Sequence, residues 1–252
     1  MLRVLDLDLD FFVEGVAHWR TSDGERLDGE EYPPWNLDQA FLFLKDQCKL
    51  DGSLPGSVVE NHGELFWAWK NAIATGLFSP PFDVTHVDAH ADLGLGDSGY
   101  VYLMTDLLYR EPVERTNPEV GETRLNDGNY LAFAIACRWL SRLSYIYNDE
   151  GGGDLMSYHL EGFDRGASNI QLKAMRKSEI DRLHGLLAAR TGEIKVDRHE
   201  PLVPFHHGSW RDFQAEHPFD AICLARSPGF TPPAADAVFD AIRDSFIEEL
   251  AV

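Results

Sequence analysis

Three aspartates alternate with three leucines near the start of the chain, in the run Leu5-Asp6-Leu7-Asp8-Leu9-Asp10. Because side chains along a β-strand point alternately to its two faces, the leucines would share one face and the aspartates the other. Three carboxylates on one face repel each other, and a buried strand cannot hold them unpaired. The run therefore predicts either a strand whose acidic face is open to water or a strand with a cation among its carboxylates. In the second case Asp8 and Asp10 would bind the cation, and the deeper Asp6 would accept hydrogen bonds.

A second group of polar side chains follows a short apolar strand predicted at residues 82–87. The run His86-Val87-Asp88-Ala89-His90-Ala91-Asp92 leads from this strand into a glycine-rich loop, the place where parallel sheets bind their ligands. If the strand continues, the side chains of Asp88, His90 and Asp92 share one face. Carboxylates with imidazoles, and no nearby cysteine, favour a divalent manganese, iron or zinc ion. The alternative interpretation is a solvated acidic loop.

A third candidate ligand is His62, in the run Glu60-Asn61-His62-Gly63-Glu64 before a predicted helix at residues 64–76. The positive end of a helix dipole disfavours a protonated imidazole, so a histidine here can stay neutral and face a metal ion. A lone histidine at this position is also compatible with a purely structural role.

Strands and helices alternate along the chain, which favours a three-layer α/β/α fold with a mostly parallel sheet. We treat residues 1–252 as a single catalytic domain, because no repeat or linker divides them. The predicted strands are at 3–9, 82–87, 143–147 and 219–225, the predicted helices at 36–45, 64–76, 129–143, 178–190 and 232–250, and the predicted loops at 14–35, 94–126 and 148–177.

The charge of the chain excludes some classes of partner. The 252 residues include 42 acidic and 22 basic side chains, a formal net charge of -20. A chain this acidic is not expected to bind nucleic acid, which needs a basic face, but it suits a cationic substrate or a metal ion. No apolar run predicts a membrane span or a signal peptide. Its three scattered cysteines predict no disulfide framework, so a cytoplasmic, reducing location is expected.

Two other motifs are weaker. Gly94-Leu95-Gly96-Asp97-Ser98-Gly99 matches the dinucleotide fingerprint, but it does not follow its strand directly, and Asp97 would repel phosphate. We interpret it as a flexible loop. The segment Ser227-Pro228-Gly229 has no nucleophile elbow, and Cys137 and Cys223 lie in apolar runs that disfavour a thiolate.

These motifs together resemble the arginase-like ureohydrolase superfamily. Asp88-Ala89-His90-Ala91-Asp92 is similar to its D-A-H-x-D metal signature, and Asp8-Leu9-Asp10 to its second D-x-D ligand pair. Asp127-Gly128-Asn129-Tyr130 is similar to its S-G-N segment, which helps to hold the substrate. The resemblance implies an arginase/deacetylase-like fold and two Mn²⁺ ions per chain. The implied ligands are Asp8, Asp10, His62, Asp88, His90 and Asp92.

The order of these motifs most resembles the peptide arginases, in which the D-x-D pair comes first. These enzymes hydrolyse arginine side chains of ribosomally made peptides to ornithine and urea. The resemblance implies an arginine-containing precursor peptide as the partner, and it leaves a homo-oligomer open. One departure is Leu131, which stands where arginases carry a histidine that shuttles protons. His206 and His207, predicted to lie in a loop, are candidate replacements.

The resemblance also implies roles for individual residues. A hydroxide bridging the two ions would attack the guanidinium carbon, with Asp10 and Asp92 as the catalytic residues. Asp10 would also take the proton passed to the leaving amine. Asn129, in the segment similar to S-G-N, would bind the substrate. Independently of the resemblance, Asp127 and Glu14 are candidate substrate-binding carboxylates that would balance the positive charge of the substrate.

Three alternative functions are compatible with the sequence. The chain would be a related hydrolase of a free guanidino compound or an acetylated amine, a non-catalytic metal- or peptide-binding protein, or, on the weak glycine motif, a nucleotide-binding oxidoreductase.

Overall fold

A computed structural model describes residues 1–22, 24–185 and 193–250. Within them lies an eight-stranded sheet with seven parallel strands and one antiparallel edge strand, β5 (Asn169–Ile170). A separate antiparallel pair is formed by β6 (Lys173–Ala174) and β7 (Arg198–His199). In spatial order, with numbers following the chain, the eight strands are β10 (Ile247–Glu249), β2 (Leu54–Val59), β9 (Ala221–Ala225), β1 (Arg3–Asp8), β3 (Phe82–Val87), β4 (Leu140–Tyr147), β8 (Val203–Ser209) and β5 (Asn169–Ile170).

Helices cover both faces of the sheet, which confirms the three-layer α/β/α prediction. Helices α2 (Leu65–Ala74) and α4 (Tyr130–Ala136) contact each other and pack on one face. Helix α1 (Leu37–Leu42), which continues as a π-helical turn at Phe43–Gln47, packs with α6 (Asp236–Phe246) on the other. Two further helices, α3 (Gly99–Thr105) and α5 (Lys177–Gly185), contact each other beside the sheet.

The acidic strand β1 is central, between β9 and β3. Leu5 and Leu7 lie in the hydrophobic core on the α1 and α6 side, whereas Val4 lies in the core on the α2 and α4 side. By strand alternation Asp6 and Asp8 face the same side as Val4. The interpretation of an acidic face open to water is therefore wrong, because the Asp6 and Asp8 side chains are buried.

Several predicted elements need correction. Strand β2 was not predicted, because its sequence Leu54-Pro55-Gly56 looks like a turn. Glycine is required there, since a Cβ on Gly56 would lie 1.7 Å from the carbonyl oxygen of Ile222 in the neighbouring strand. The closing helix ends at Phe246 and its last residues form β10.

The remaining differences concern loops and helix ends. Residues 94–126, predicted as a loop, contain α3 and short 3₁₀ turns. The predicted helix at 129–143 ends at Ala136, because Arg138 has a positive φ of 61° and the chain turns into β4. The predicted helix at 178–190 corresponds to α5, and its part beyond residue 185 lies outside the described residues. In the described part of the chain, no helix is long and apolar enough to cross a membrane.

Candidate metal centre

The three predicted ligand segments meet at one edge of the sheet. Strands β1 and β3 are parallel neighbours, with Asp6 opposite His86, so the residues that follow the two strands emerge side by side. His62 lies in a short 3₁₀ turn after β2, at the start of α2. The parallel topology therefore brings together all six ligands expected from the resemblance. Five of them are buried (Asp8, Asp10, His62, Asp88 and Asp92), and the His90 side chain is 22% exposed.

The first group of donor atoms surrounds the Nδ1 atom of His62. Carboxylate oxygens of Asp8 and Asp88 lie 2.9 Å from it, and an oxygen of Asp92 lies at 3.0 Å. His62 Nδ1 and Asp88 Oδ2 are buried without a hydrogen-bond partner. Buried polar atoms are rarely left unpaired, and here several lone pairs converge on one small volume. A cation among these four side chains would satisfy them together.

A second group is formed by Asp10, Asp88 and His90. His90 Nδ1 lies 2.9 Å from Asp10 Oδ2 and 3.7 Å from Asp88 Oδ1. Asp88 therefore directs one oxygen towards each group. The Asp88 carboxylate is therefore common to both groups of donor atoms.

The other nitrogen of each candidate histidine ligand has a fixed hydrogen-bond partner. His90 Nε2 donates to the carbonyl oxygen of Ala17 at 3.1 Å. His62 Nε2 lies 3.1 Å from Asp6 Oδ1 and 3.0 Å from the hydroxyl of Tyr130. In the tautomer that donates from Nε2, each Nδ1 carries a lone pair towards the carboxylates. Metal-binding histidines are usually oriented by this type of contact.

Asp6 is the buried acceptor of this network, as predicted. It accepts hydrogen bonds from Tyr130 and from His86 Nδ1, the latter at 3.1 Å, in addition to its contact with His62. Burial acts to raise the pKa of Asp6, but the charges and hydrogen bonds of His62 and His86 outweigh it and hold this pKa below its usual value. Asp6 therefore positions His62 and is not one of the six expected ligands.

Turns, and not continued strands, place Asp10 and Asp92. Strand β1 ends at Asp8, and Asp10 lies in the 3₁₀ turn that follows. The backbone N–H of Asp10 donates to Asp8 Oδ1 at 3.2 Å. Strand β3 ends at Val87, and Asp92 has a φ of 48°, in the left-handed region. The prediction that residues 88, 90 and 92 share one strand face is wrong in this respect. The turns bring the same side chains together instead.

The carboxylates of the centre repel each other when no cation balances them. Burial, together with the negative charges of Asp8 and Asp88, raises the pKa of Asp10 well above its usual value. Burial and the charge of Asp88 raise the pKa of Asp92 to about 7. A divalent cation would remove this repulsion, and oxygen with imidazole donors is a common ligand set for such ions. The buried Asp and His side chains therefore form a candidate metal site.

The predicted substrate-binding residues lie in three different environments. Asn129 is buried, and its side chain contacts Asp97 and the backbone of residues 124 and 126, so it supports the loop. Asp127 lies beside the centre, where one of its oxygens accepts from Gly63 N at 3.1 Å. Glu14 is exposed and lines a cavity of about 260 Å³ that contains none of the clustered ligands. Of the three, only Asp127 contacts the segment that holds His62.

None of the side chains considered for the proton shuttle joins the centre. Leu131 is buried in the hydrophobic core in α4. His206 and His207 lie in β8, not in the predicted loop, and β4 separates them from β3. His206 lines a groove of about 680 Å³ that contains none of the candidate ligands, and His207 stacks on Phe205.

Sequence reasoning missed several residues that support the centre. Ser227 has a φ of 45°, and its hydroxyl donates to Asp8 Oδ2 at 2.5 Å. Asp154 accepts from the backbone of Ala91 at 2.6 Å and so holds the loop after β3. Tyr130 and His86 bind Asp6. Tyr130 belongs to a segment quoted for the resemblance and Ser227 to the Ser227-Pro228-Gly229 segment, but no spacing rule indicates which carboxylate each would contact.

The glycine motif and the cysteines have structural roles. The motif leads into α3, but it begins seven residues after the end of β3. Gly99 is needed for packing, because a Cβ there would lie 2.4 Å from Asn129 Nδ2. All three cysteines are buried and unpaired. Burial raises the pKa of Cys137 and of Cys223 to about 12. The prediction that these thiols disfavour the thiolate is therefore confirmed.

Without metal, the protein is expected to become less stable as the pH rises. Burial lowers the pKa of His86, but the charges of Asp88 and Asp6 outweigh it and raise that pKa to about 9. His86 and Asp92 therefore keep protons in the folded state that the unfolded chain releases. The stability that they contribute is complete below their ordinary values, 3.8 for aspartate and 6.5 for histidine, and is lost as the pH passes the folded values.

Thermal unfolding at pH 5 and pH 8, with a chelator and with excess Mn²⁺, tests this expectation. We expect the difference between the unfolding midpoints with Mn²⁺ and with the chelator to be larger at pH 8 than at pH 5, because the metal competes with protons for the same atoms. The substitution Asp92→Asn should flatten the pH dependence measured with the chelator. A chelated midpoint that rises from pH 5 to pH 8 would contradict the assignment.

The chain was also compared with known proteins. No protein-family model matches it, and a search of curated proteins found no significant relative.

Proposed function

We propose that the protein hydrolyses the guanidinium group of arginine side chains in a peptide, giving ornithine and urea. The observation that carries the proposal is the pair of histidine–carboxylate groups that share Asp88, at the strand ends where the motifs resembling arginases lie. Each histidine turns the same nitrogen, Nδ1, towards the carboxylates. If two Mn²⁺ ions bind, His62, Asp8 and Asp92 would hold one and His90 and Asp10 the other, and Asp88 would contribute an oxygen to each group.

The reaction itself is a hydrolysis with a difficult leaving group. Water adds to the guanidinium carbon, the bond to the side-chain nitrogen breaks, and that nitrogen takes up protons to leave as the ornithine ammonium group. When bound, two divalent ions supply a water molecule with a pKa near neutrality and stabilise developing negative charge. The protein must provide the geometry, the proton transfer and the balance of charge.

Asp10 is the residue best suited to move the proton. Its Oδ2 atom lies 2.9 Å from His90 Nδ1, within the second group of donor atoms. A carboxylate beside the reacting atoms can accept a proton during the attack and pass it to the leaving nitrogen. Asp92 and Asp8 hold their positions through the left-handed turn and through Ser227. This assignment does not require the histidine that Leu131 replaces.

A cationic substrate agrees with the electrostatics of the chain. The formal net charge of -20 favours the approach of an arginine-bearing peptide. Asp127, at the edge of the centre, offers a carboxylate for that positive charge. Free guanidino compounds would be attracted as well, so the preference for a peptide has to be measured directly.

The test is urea release from the manganese-loaded protein, offered an arginine-containing peptide and free arginine in parallel. We expect urea from the peptide, together with a mass loss on the peptide that matches the conversion of arginine to ornithine. The matched control is Asp92→Asn, which removes one charged oxygen but keeps a side chain that tolerates the positive φ. The control should release no urea.

The other outcomes separate the alternatives. Urea from free arginine alone would move the assignment to a small-molecule ureohydrolase. Acetate release from an acetylated amine, without urea, would indicate an amidohydrolase. Tight manganese binding with no hydrolysis of any of these substrates would overturn the proposal in favour of a binding protein.

A further inference from the structure

A short segment at residues 17–21 crosses the outer side of the metal centre. At one end the carbonyl oxygen of Ala17 accepts from His90 Nε2 at 3.1 Å. At the other end Thr21 N donates to the carbonyl oxygen of Gly229 at 3.0 Å. We call this segment, Ala17–Thr21, the strap. It connects the ligand loop after β3 to the turn after β9.

The strap carries an arginine whose guanidinium group contacts the segment around His62. Arg20 donates to Asp127 Oδ2 at 3.1 Å and to Asn61 Oδ1 at 3.3 Å. The second oxygen of Asp127 accepts from Gly63 N, and Asn61 directly precedes His62. The chain therefore places one of its own arginine side chains on a carboxylate and an amide oxygen beside the centre.

The path of Arg20 depends on close contact with Gly229. A Cβ on Gly229 would lie 2.6 Å from Arg20 Cγ, so the glycine leaves room for the arginine stem. Phe230, the next residue, packs its ring 5.3 Å from that of His90. The strap is thus fitted to the turn that also carries Ser227, the partner of Asp8.

The side chain of Arg26 is held more firmly than that of Arg20. Arg26, farther along, donates to the carbonyl oxygen of Thr231 at 2.9 Å and to Asp236 Oδ1 at 2.9 Å, among other contacts. The side chain of Arg20 is 48% exposed and that of Asp127 is 31% exposed. Ion pairs this open to water contribute little to stability, so another guanidinium group can replace Arg20. Arg26 is suited to anchor the loop while the strap moves.

The strap closes a centre whose ligands are buried. The side chains of His62 and Asp88 are 2% and 1% exposed, respectively. Because these donor atoms are buried, we expect an element above them to move when a guanidinium group reaches them. The strap is a suitable element, because His18, Trp19 and Arg20 at its middle are exposed.

We propose that Asp127 and Asn61 form a subsite for an arginine side chain of the substrate, and that Arg20 holds this subsite until a substrate guanidinium displaces it and the strap opens. The identity of the ligand rests on the proposed function. The displacement itself requires only that a guanidinium group competes with Arg20, whether or not hydrolysis follows.

Amide hydrogen exchange of the manganese-loaded protein tests the displacement. The probe is methylguanidinium chloride, with tetramethylammonium chloride at the same concentration as the control for ionic strength. In the wild type we expect methylguanidinium to speed exchange of the strap by about 2–5-fold, because a weak ion pair is lost. In Arg20→Gln the strap should exchange at the faster rate already, with no further response to the probe.

Matched variants make this result specific. Arg165→Gln changes the net charge equally at an exposed position away from the centre and should behave like the wild type. Arg20→Lys keeps the charge but cannot contact both oxygens as a planar fork, so it should exchange at an intermediate rate. A strap that is protected by the probe in the wild type, or that exchanges equally in Arg20→Gln and the wild type, would overturn the proposal.

Urea release separates this proposal from the proposed function. If both hold, Arg20→Gln should raise kcat/KM for the arginine peptide by about 2–5-fold, because the internal competitor is gone. Urea release with no effect of Arg20 on exchange would sink the strap and leave the function standing. Absence of urea, with the expected exchange results, would sink the function and keep a guanidinium-binding site closed by Arg20.

Discussion

Replacing Asp10 by asparagine is expected to abolish urea release and weaken metal binding without destabilising the metal-free protein. The pKa of Asp10 is raised by burial and by the charges of Asp8 and Asp88, so its charged form is unfavourable without metal. Asparagine has the shape of the protonated carboxyl group and carries no charge. Loss of a proton-transferring group lowers rates by roughly 10²–10⁴-fold, and loss of a ligand adds to this.

Thermal unfolding with and without Mn²⁺, together with measurement of bound metal, checks this prediction. In the presence of a chelator, the midpoint of Asp10→Asn should equal or exceed that of the wild type, whereas excess Mn²⁺ should raise it less. The matched control is Asp83→Asn at the opposite end of β3, where the carboxylate accepts from Ser141. That variant should keep both metal binding and activity. A lower midpoint of Asp10→Asn in chelator would indicate that Asp10 is a structural partner of His90.

The alternation of strands and helices was predictable from the sequence, because the spacing of apolar residues reflects which side chains are buried. This alternation in turn predicted the architecture. Strand β3 lies at the predicted residues 82–87, and the alternation in β1 correctly placed Leu5 and Leu7 on the face opposite Asp6 and Asp8. Strand β2 escaped prediction because Gly56 lies against Ile222 of β9 and Pro55 lies opposite Glu248 of β10, and only the folded sheet creates these contacts. Local patterns cannot report a contact between strands that are distant in sequence.

The site was predictable as a set of residue types but not as a geometry. Parallel strands end at the same edge of the sheet, so Asp8 and the residues that follow β3 were correctly expected to lie close together. Strand periodicity was the wrong reason for residues 88–92, because β3 ends at Val87 and Asp92 reaches the centre through a left-handed turn. Arg20 could not have been found from its spacing. Its role depends on the path of a loop over Gly229, and no periodicity encodes that path.

The hydrogen bonds of Asp6 also link the fold to the candidate metal centre, because they favour one tautomer of His62, a candidate ligand. Asp6 accepts from His86 and Tyr130 and lies 3.1 Å from His62 Nε2. With Nε2 protonated, His62 Nδ1 is free to bind a cation. This one carboxylate therefore supports both the packing around β1 and the orientation of a candidate ligand at the end of the strand.

The substitution Asp6→Asn is accordingly expected to damage both stability and metal binding. An asparagine has one acceptor oxygen, so at least one of the three donors around it would lose its partner in a buried position. Removing one member of a buried charged network costs about 3–5 kcal/mol of unfolding free energy. If the new amide donates to His62 Nε2, the proton moves to Nδ1 and the metal-binding lone pair is lost. Loss of such an orienting partner lowers metal affinity by roughly 10–100-fold.

Chemical denaturation gives the stability, and titration of metal-free protein with Mn²⁺ gives the affinity. The matched control is Tyr130→Phe, which removes one donor to Asp6 and leaves its carboxylate in place. That variant should lose about 1 kcal/mol and keep most of its metal affinity. An Asp6→Asn protein that is destabilised but binds Mn²⁺ as tightly as the wild type would mean that Asp6 supports only the fold. In that case the orientation of His62 would have to depend on Tyr130, whose hydroxyl lies 3.0 Å from the same nitrogen.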